Sequence, residues 1–249
     1  MPIDDQAQHC ARLIKEARSI AVLTGAGIST GAGITDFRGP KGLYVTRRYD
    51  PEKVFDINYF LHDPKPFFDF ARDFIGLEEK IKPTFAHQFL ARLEQSGKNI
   101  GVITQNIDDL HQRAGSKNVL ELHGSFLKSF CLSCSKEFSF EDLRSKILSE
   151  DVPRCSCKGV IKPDIVFFGE NVKHLDEAYD LTGRADLFLV IGTSGVVYPA
   201  TSIPDAASGK IVIVNMQKVQ LNSFNVVLSV QEEMDSFFRK VEKFLKGGA

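Results

Sequence analysis

Six short apolar runs set what this chain of 249 residues can fold into: 20–23 (IAVL), 100–104 (IGVIT), 119–122 (VLEL), 187–192 (LFLVIG), 211–214 (IVIV) and 226–228 (VVL). Segments of helical spacing alternate with them. Residues 5–18 place Ala7, Cys10, Ala11, Ile14 and Ala17 on one face. PFFDFARDFI and TFAHQFLARLEQSG also read as helices, the second with Thr84 as N-cap and Gly97 as its stop. EEMDSFFRKVEKFLKGG closes the chain as an amphipathic helix. Apolar runs of about five residues alternating with helices predict an α/β fold with a parallel sheet buried on both faces, doubly wound.

The residues at the carboxyl ends of these runs point to one crevice. The first run gives way to Thr24-Gly25-Ala26-Gly27, the second to Gln105-Asn106-Ile107-Asp108, and the third to His123-Gly124. The fourth leads to Thr193-Ser194 and the fifth to Asn215. Ligands of open parallel sheets bind beyond the carboxyl ends of the strands. One polar ending is ordinary loop composition; five in register argue for a shared binding edge.

VLTGAGISTGAGITDFRG carries four glycines and then Asp36, Phe37 and Arg38 together. Small residues between a strand and a helix start suit a phosphate-binding turn. The dehydrogenase spacing G-x-G-x-x-G is not met, because Thr30 stands where the third glycine belongs and Gly31 comes one residue late. No G-x-x-x-x-G-K-[ST] occurs either, which excludes a P-loop hydrolase. The bland alternative is a tight strand-to-helix turn. Arg38 can pair with phosphate and Phe37 can lie against an aromatic ring; Arg38 as a plain surface charge stays open.

Four of the five cysteines cluster as Cys131-x-x-Cys134 and Cys155-x-Cys157, with 20 residues between the pairs. This spacing suits one tetrahedral zinc held by four thiolates, against the alternatives of two disulfides or unrelated core cysteines. The polar, acidic start of the chain lacks the apolar stretch of a secretory signal, so disulfides are disfavoured and a cytoplasmic, reducing compartment is expected. Four thiolates leave no coordination position for water, so the metal is structural. The one-residue gap in the second pair tightens its knuckle without removing a ligand. A net charge of −1 gives no electrostatic reason to expect nucleic acid, and no apolar run is long enough to span a bilayer.

GAGIST…GITDFRG, TQNID, LHG, the cysteine pairs, KPDIVFFGE, GTS and VIVN occur in the order found in sirtuins. From about residue 20 to 216 the chain resembles this family of NAD-dependent protein-lysine deacylases. The resemblance implies a large Rossmann-like part at about 1–39, 76–124 and 163–249. A small domain would come from a helical insertion at about 40–75 and the zinc module at about 125–162. It implies NAD contacts from Gly25, Ala26, Gly27, Thr30, Asp36, Phe37 and Arg38 in and after the glycine turn. Gln105, Asn106, Ile107 and Asp108 would hold the nicotinamide ribose and carboxamide. Gly192, Thr193, Ser194, Asn215, Met216 and Val230 would reach the adenosine half. His123 matches the catalytic base, with Asn106 and Asp108 beside it in the reaction. Val166, Phe168, Gly169, Glu170 and Val196 resemble the acyl-lysine tunnel and the edges that clamp a peptide by strand addition.

The implied reaction removes acetyl or other neutral acyl groups from protein lysines and gives nicotinamide, O-acetyl-ADP-ribose and free lysine. Its partners are acetyl-lysine proteins or peptides, with NAD and one structural zinc per chain. Mono-ADP-ribosyl transfer from the same NAD site is the alternative; a dehydrogenase and a non-catalytic zinc-stabilised binder are further ones. By spacing alone His123 also fits a hydrogen-bonded structural histidine, and Asp108-Asp109 a helix N-terminal pair. His9, His62, His87, His111 and His174 have no catalytic placement. Three positions depart from the family pattern: Thr35 replaces a usual proline, Gly195 a larger residue, and Ser229-Val230 a Gly-Asp pair. Members that prefer acidic acyl groups carry Tyr-x-x-Arg in the helical insertion; here Arg72 is present but Asp69 stands in the tyrosine's place.

Overall fold

A computed structural model describes residues 1–34, 49–78, 81–221 and 223–247. Thr35, Asp36, Phe37 and Arg38 lie outside the described residues.

Each of the six apolar runs forms a strand of one parallel sheet: β1 (Ser19–Thr24), β2 (Asn99–Thr104), β3 (Val119–Glu121), β7 (Leu187–Ile191), β8 (Lys210–Asn215) and β9 (Val226–Gln231). Their order is β3-β2-β1-β7-β8-β9. The chain thus grows outward from β1 in one direction and from β7 in the other, so the topological switch point lies between them.

Both faces are covered, which is why consecutive strand residues are apolar. Ile20, Val22, Leu187, Leu189, Val212 and Val214 pack with α1 (Ile3–Glu16), a helix at Phe85–Gln95 and the closing helix at Met234–Lys246. Their neighbours Ala21, Leu23, Phe188, Val190, Ile211 and Ile213 face the opposite side, against a helix at Leu175–Arg184 and a 3-10 turn at Ala200–Ala206. Cys10 is wholly buried in the first core, and burial pushes its thiol up to about 12, so it acts as a small apolar residue. The first helix runs two residues earlier at each end than the expected 5–18, because Ala17 turns extended at ψ 135°.

A second core forms apart from the sheet. Three short helices, α2 (Pro51–Val54), α3 (Ile57–His62) and α4 (Lys65–Glu78), pack against an antiparallel sheet of β4 (Gly124–Cys131), β5 (Glu137–Ser139) and β6 (Ile161–Ile165), ordered β5-β4-β6. Phe55, Phe60, Phe67, Phe68, Phe70, Phe126 and Phe167 fill this core together with Leu143 and Ile147. The helical insertion and the cysteine module therefore share one interior. The aromatic pairs meet mostly edge to face, with Phe60 and Phe167 at 5.1 Å and 90°.

The helix at Phe85–Gln95 is α5. Its N-terminus is fixed by a capping box: Thr84 Oγ1 accepts from the His87 N–H, and His87 Nδ1 accepts from the Thr84 N–H. Gly97, at φ +90°, ends it. The remaining helices are α6 (Leu110–Ala114), α7 (Phe140–Ser149), α8 (Leu175–Arg184) and α9 (Met234–Lys246).

Candidate active site

The chain crosses from the large sheet to the small one twice, and both crossings meet at one point. On the way out, Leu122-His123 links β3 to β4; on the way back, residues 166–170 come directly after β6. The Val166 N–H donates to the His123 carbonyl at 2.9 Å, joining the two crossings. Phe168 lies against the helical insertion through two main-chain bonds, donating to Phe55 O at 2.7 Å and accepting from the Ile57 N–H at 3.0 Å.

His123 is positioned from β2. Its Nδ1 donates to the Gln105 carbonyl at 2.8 Å, because a carbonyl can only accept. That bond fixes the tautomer and leaves Nε2 as the basic nitrogen of the neutral ring. Burial lowers the imidazole below its ordinary value, with the Gln105 carbonyl opposing part of that shift. The Gln105 side chain in turn donates to Thr193 Oγ1 at 3.0 Å, spanning from the end of β2 to the end of β7.

Asn106 and Asp108 are tied to the glycine turn through Ser29. The Ser29 hydroxyl donates to Asp108 Oδ2 at 2.6 Å and accepts from Asn106 Nδ2 at 3.1 Å. Asn106 Nδ2 also reaches the Gly25 carbonyl at 3.2 Å, and Asp108 Oδ1 accepts from the Leu110 N–H at 3.1 Å. Burial raises the Asp108 carboxyl, and the Ser29 hydroxyl acts against it. Sequence reasoning missed Ser29. A serine among glycines reads as a turn residue; its complete burial beside a carboxylate is what marks it. Ile107 packs on the second core, so this loop touches both.

The glycine turn also has a packing reason of its own. It is a 3-10 turn, Ala26–Ala32, lying against Gly192 at the end of β7. A Cβ on Gly27 would stand 2.6 Å from the Gly192 carbonyl oxygen, and one on Gly192 would meet Ile28 N at 2.4 Å. Backbone-to-backbone packing at the switch point therefore requires glycine here. The N–H groups of Gly25, Gly27 and Ile28 donate to Ile191, Gly192 and Gly25, so among Gly25–Ile28 only Ala26 keeps its main-chain donor for a ligand. The Thr30 hydroxyl is spent on the Gly27 carbonyl at 2.9 Å.

On the β7–β9 side, Ser194 and Met216 are exposed, while Thr193 is buried and accepts from Gln105. Asn215 Nδ2 donates to the Gln217 carbonyl at 2.9 Å. The Val230 side chain lies inside the first core, so only its backbone is left for a ligand. A Cβ on Gly25 would likewise meet the Thr193 side chain at 2.9 Å, so the ends of β1 and β7 pack closely at the switch point. Phe168, after β6, and Val196, after β7, expose half or more of their surface, and Gly169 turns at φ +94°. The Glu170 carboxylate instead points to Lys162 Nζ and the Phe167 N–H.

The four cysteine sulfurs lie within 4.8 Å of one another. Close approaches are 3.4 Å for Cys131–Cys157 and 3.7 Å for Cys134–Cys155. Sulfurs around a tetrahedral zinc at about 2.3 Å would stand about 3.8 Å apart, so the set fits that ion. The single-residue gap at Cys155-x-Cys157 is accommodated by Lys158 at φ +71° and by Gly159, whose added Cβ would press on Cys131 Sγ at 2.6 Å.

Beneath the site two histidines are wholly buried. His111 Nε2 pairs with Thr24 Oγ1 at 3.0 Å, and its ring lies 4.6 Å from that of His87. Burial pushes His87 down to about 3 and His111 well below its ordinary value, so both are neutral.

The sequence profile of the Sir2 family matches residues 25–199. A relative from Thermotoga maritima named NAD-dependent protein deacetylase is 46% identical over 237 residues, which is 92% of this chain and 94% of the relative. One of the same name from Sulfurisphaera tokodaii is 44% identical over 90% of this chain and 89% of its own. The solved structure "Sir2-p53 peptide-NAD+" superposes with a TM-score of 0.85 at 44% identity, covering 94% of this chain and 96% of that one. "Sir2 bound to acetylated peptide" does so at 0.84 and 42%, covering 95% and 97%.

Proposed function

The chain belongs to the Sir2 family, and we propose that it is an NAD-dependent protein deacetylase, releasing nicotinamide, O-acetyl-ADP-ribose and free lysine from acetyl-lysine proteins or peptides. The observation that carries this reading is the commitment of His123 Nδ1 to the Gln105 carbonyl, where the two crossings between the cores meet. It leaves Nε2 as the unprotonated nitrogen of the neutral ring, which a general base near neutral pH requires.

NAD, when bound, supplies a ribose that takes over the acetyl group as nicotinamide departs. The Ala26 N–H, with Asp36, Phe37 and Arg38, would hold its diphosphate side, and Gly25, Gly27 and Thr30 would shape the turn that presents it. Gln105, Ile107 and Asp108 orient the nicotinamide end. The Ser29 hydroxyl aligns Asp108 and works against the burial that raises its carboxyl, and Asn106 locks that loop to the glycine turn. Gly192, Thr193, Ser194, Asn215, Met216 and the Val230 backbone face the adenosine half. His123 Nε2 accepts the proton that a ribose hydroxyl gives up. Val166, Phe168, Gly169 and Val196 receive the acyl-lysine strand, with Glu170 shaping that edge from behind. The four thiolates hold one structural zinc, which suits a reducing compartment such as the cytoplasm. Among the described residues no helix is long and apolar enough to cross a membrane. We read the chain as a large part (1–39, 76–124, 163–249) and a small one (40–75, 125–162); the two separate cores support this reading, although Ile165 and Phe167 pack with the small part.

Incubation with NAD and an acetylated peptide, with mass analysis of the products, tests this. Nicotinamide release should require the acetylated peptide, which should lose one acetyl group while acetyl-ADP-ribose appears. ADP-ribose left on protein would favour the transferase reading, which the deacetylase relatives do not support.

A further inference from the structure

Lys162 is 2% exposed, the second residue of β6, and its buried strand neighbours Ile161, Pro163 and Ile165 are apolar. Its ammonium has three donors, and three acceptors surround it. Nζ reaches the Ile165 carbonyl at 2.6 Å and Glu170 Oε2 at 2.9 Å, and it lies 4.3 Å from the centre of the Phe167 ring. The same Glu170 oxygen accepts from the Phe167 N–H at 2.8 Å, and the Glu170 N–H donates back to the Phe167 carbonyl at 3.0 Å.

Stability alone does not account for this arrangement. Burying an ammonium and a carboxylate costs desolvation that a well-packed apolar residue avoids, and replacing such pairs by apolar side chains is often neutral or stabilising. What the pair does supply is one conformation for a segment that has no strand ladder of its own. Residues 166–170 are held by Val166 on His123 and by Phe168 on Phe55 and Ile57, and Lys162 fixes the remaining turn from inside. The backbone N–H of Gly169 and the carbonyl of Glu170 have no partner among the described residues, which leaves them for an incoming strand.

We propose that Lys162, acting through Glu170, is a positioning residue for the acylated peptide: it holds residues 166–170 as a preformed edge for strand addition. This rests on the deacetylase reading and deepens it. A preformed edge spares the bound state the ordering of a loose turn, so the effect belongs to peptide affinity and not to NAD affinity.

The test measures binding, not turnover, on zinc-loaded protein by titration calorimetry, with an acetyl-lysine peptide and separately with NAD. Lys162→Met should weaken the peptide on the order of tenfold and leave NAD within about twofold. Because that variant strands the Glu170 charge, Lys162→Met/Glu170→Gln is measured beside it. The double variant should regain thermal stability yet still bind the peptide weakly. Peptide affinity within about twofold of wild type in the double variant would overturn the proposal, as would an equal loss of NAD affinity. A wild-type protein that deacetylates while both variants bind peptide normally leaves the function standing and removes Lys162 from it.

Discussion

At the scale of single residues, the site is a set of side chains whose free atoms are decided by what the other atoms are bonded to. His123 gives Nδ1 to Gln105 and keeps Nε2; Asp108 gives one oxygen to Ser29 and the other to the Leu110 N–H. His123→Ala should therefore lower kcat by a factor on the order of a hundred or more while NAD still binds, and comparable turnover would remove the histidine from the proton transfer. The pH dependence has a definite sign. Burial holds the His123 imidazole below its ordinary 6.5, and the neutral ring is the working form, so kcat/KM should stay flat as pH falls to 6.5 and decline only below it. An acid limb centred above pH 6.5 would contradict that environment. Asn106, Asp108 and His123 were legible in the sequence because each stands close behind an apolar run. Ser29 was not, since hydroxyls in glycine turns are common and only depth distinguishes this one. Nor could the sequence tell that Gly27 makes room for Gly192, a contact between residues 165 positions apart.

Elements show where burial has made the fold depend on charge and on metal. Helices α5 and α6 meet over the His87–His111 contact, with Thr84 and Thr24 at its two ends. A histidine held neutral at about 3 when folded and near 6.5 when unfolded takes up its proton preferentially in the unfolded chain between those values. Stability is then complete above pH 6.5 and is lost as pH falls through that window, on the order of several kcal/mol for His87 alone. His87→Gln keeps a capping-box acceptor for the Thr84 N–H, so urea midpoints of this variant should fall less steeply with acid than those of the wild type. Equal slopes would place the acid sensitivity elsewhere. The β5-β4-β6 sheet depends on metal in a similar way, because Cys131 ends β4 and Cys155 and Cys157 lie in the loop that leads into β6. Zinc should be found at one per chain, and Cys131→Ala or chelation should melt this sheet and abolish activity indirectly, since the energy of binding four thiolates is folding energy. Intact metal-free protein would refute the assignment. Strands, helix order and the cysteine module were readable from periodicity and spacing. The common interior of the helical insertion and the cysteine module was not, because phenylalanines far apart in the chain meet only in three dimensions, as Phe67 and Phe126 do at 6.2 Å.

Across the whole molecule, that shared interior also bears on which acyl group the enzyme accepts. Arg72, on α4, is the cation of the insertion whose place resembles the one that reads acidic acyl groups in some family members. Its guanidinium is used up in joining the two insertions: Nη1 donates to Asp69 Oδ1 at 2.8 Å, Nε to the Ile147 carbonyl at 2.9 Å, and Nη2 to the Glu150 and Asp151 carbonyls at 3.1 and 3.2 Å. Asp69, standing where those members have tyrosine, is itself the first of these acceptors, and it is further engaged by Lys65. Turning Arg72 toward an acyl chain would strand these carbonyls at the end of α7 and leave Asp69 with Lys65 alone. The rest of α4 offers Phe67, Phe68, Phe70 and Ile75 to the core. A succinyl carboxylate brought against such a surface would be buried without a partner, at a cost of several kcal/mol or with its proton retained. Acetyl-lysine meets no such penalty. On one peptide carrying each group in turn, kcat/KM for acetyl should exceed that for succinyl by at least about tenfold, the ratio that 1.4 kcal/mol corresponds to. Arg72→Met should lower stability by separating α4 from α7 while leaving the acetyl preference in place. If that substitution instead removed a measurable succinyl activity, the arginine would have been reading the acyl chain all along, and the joining role assigned to it would be wrong.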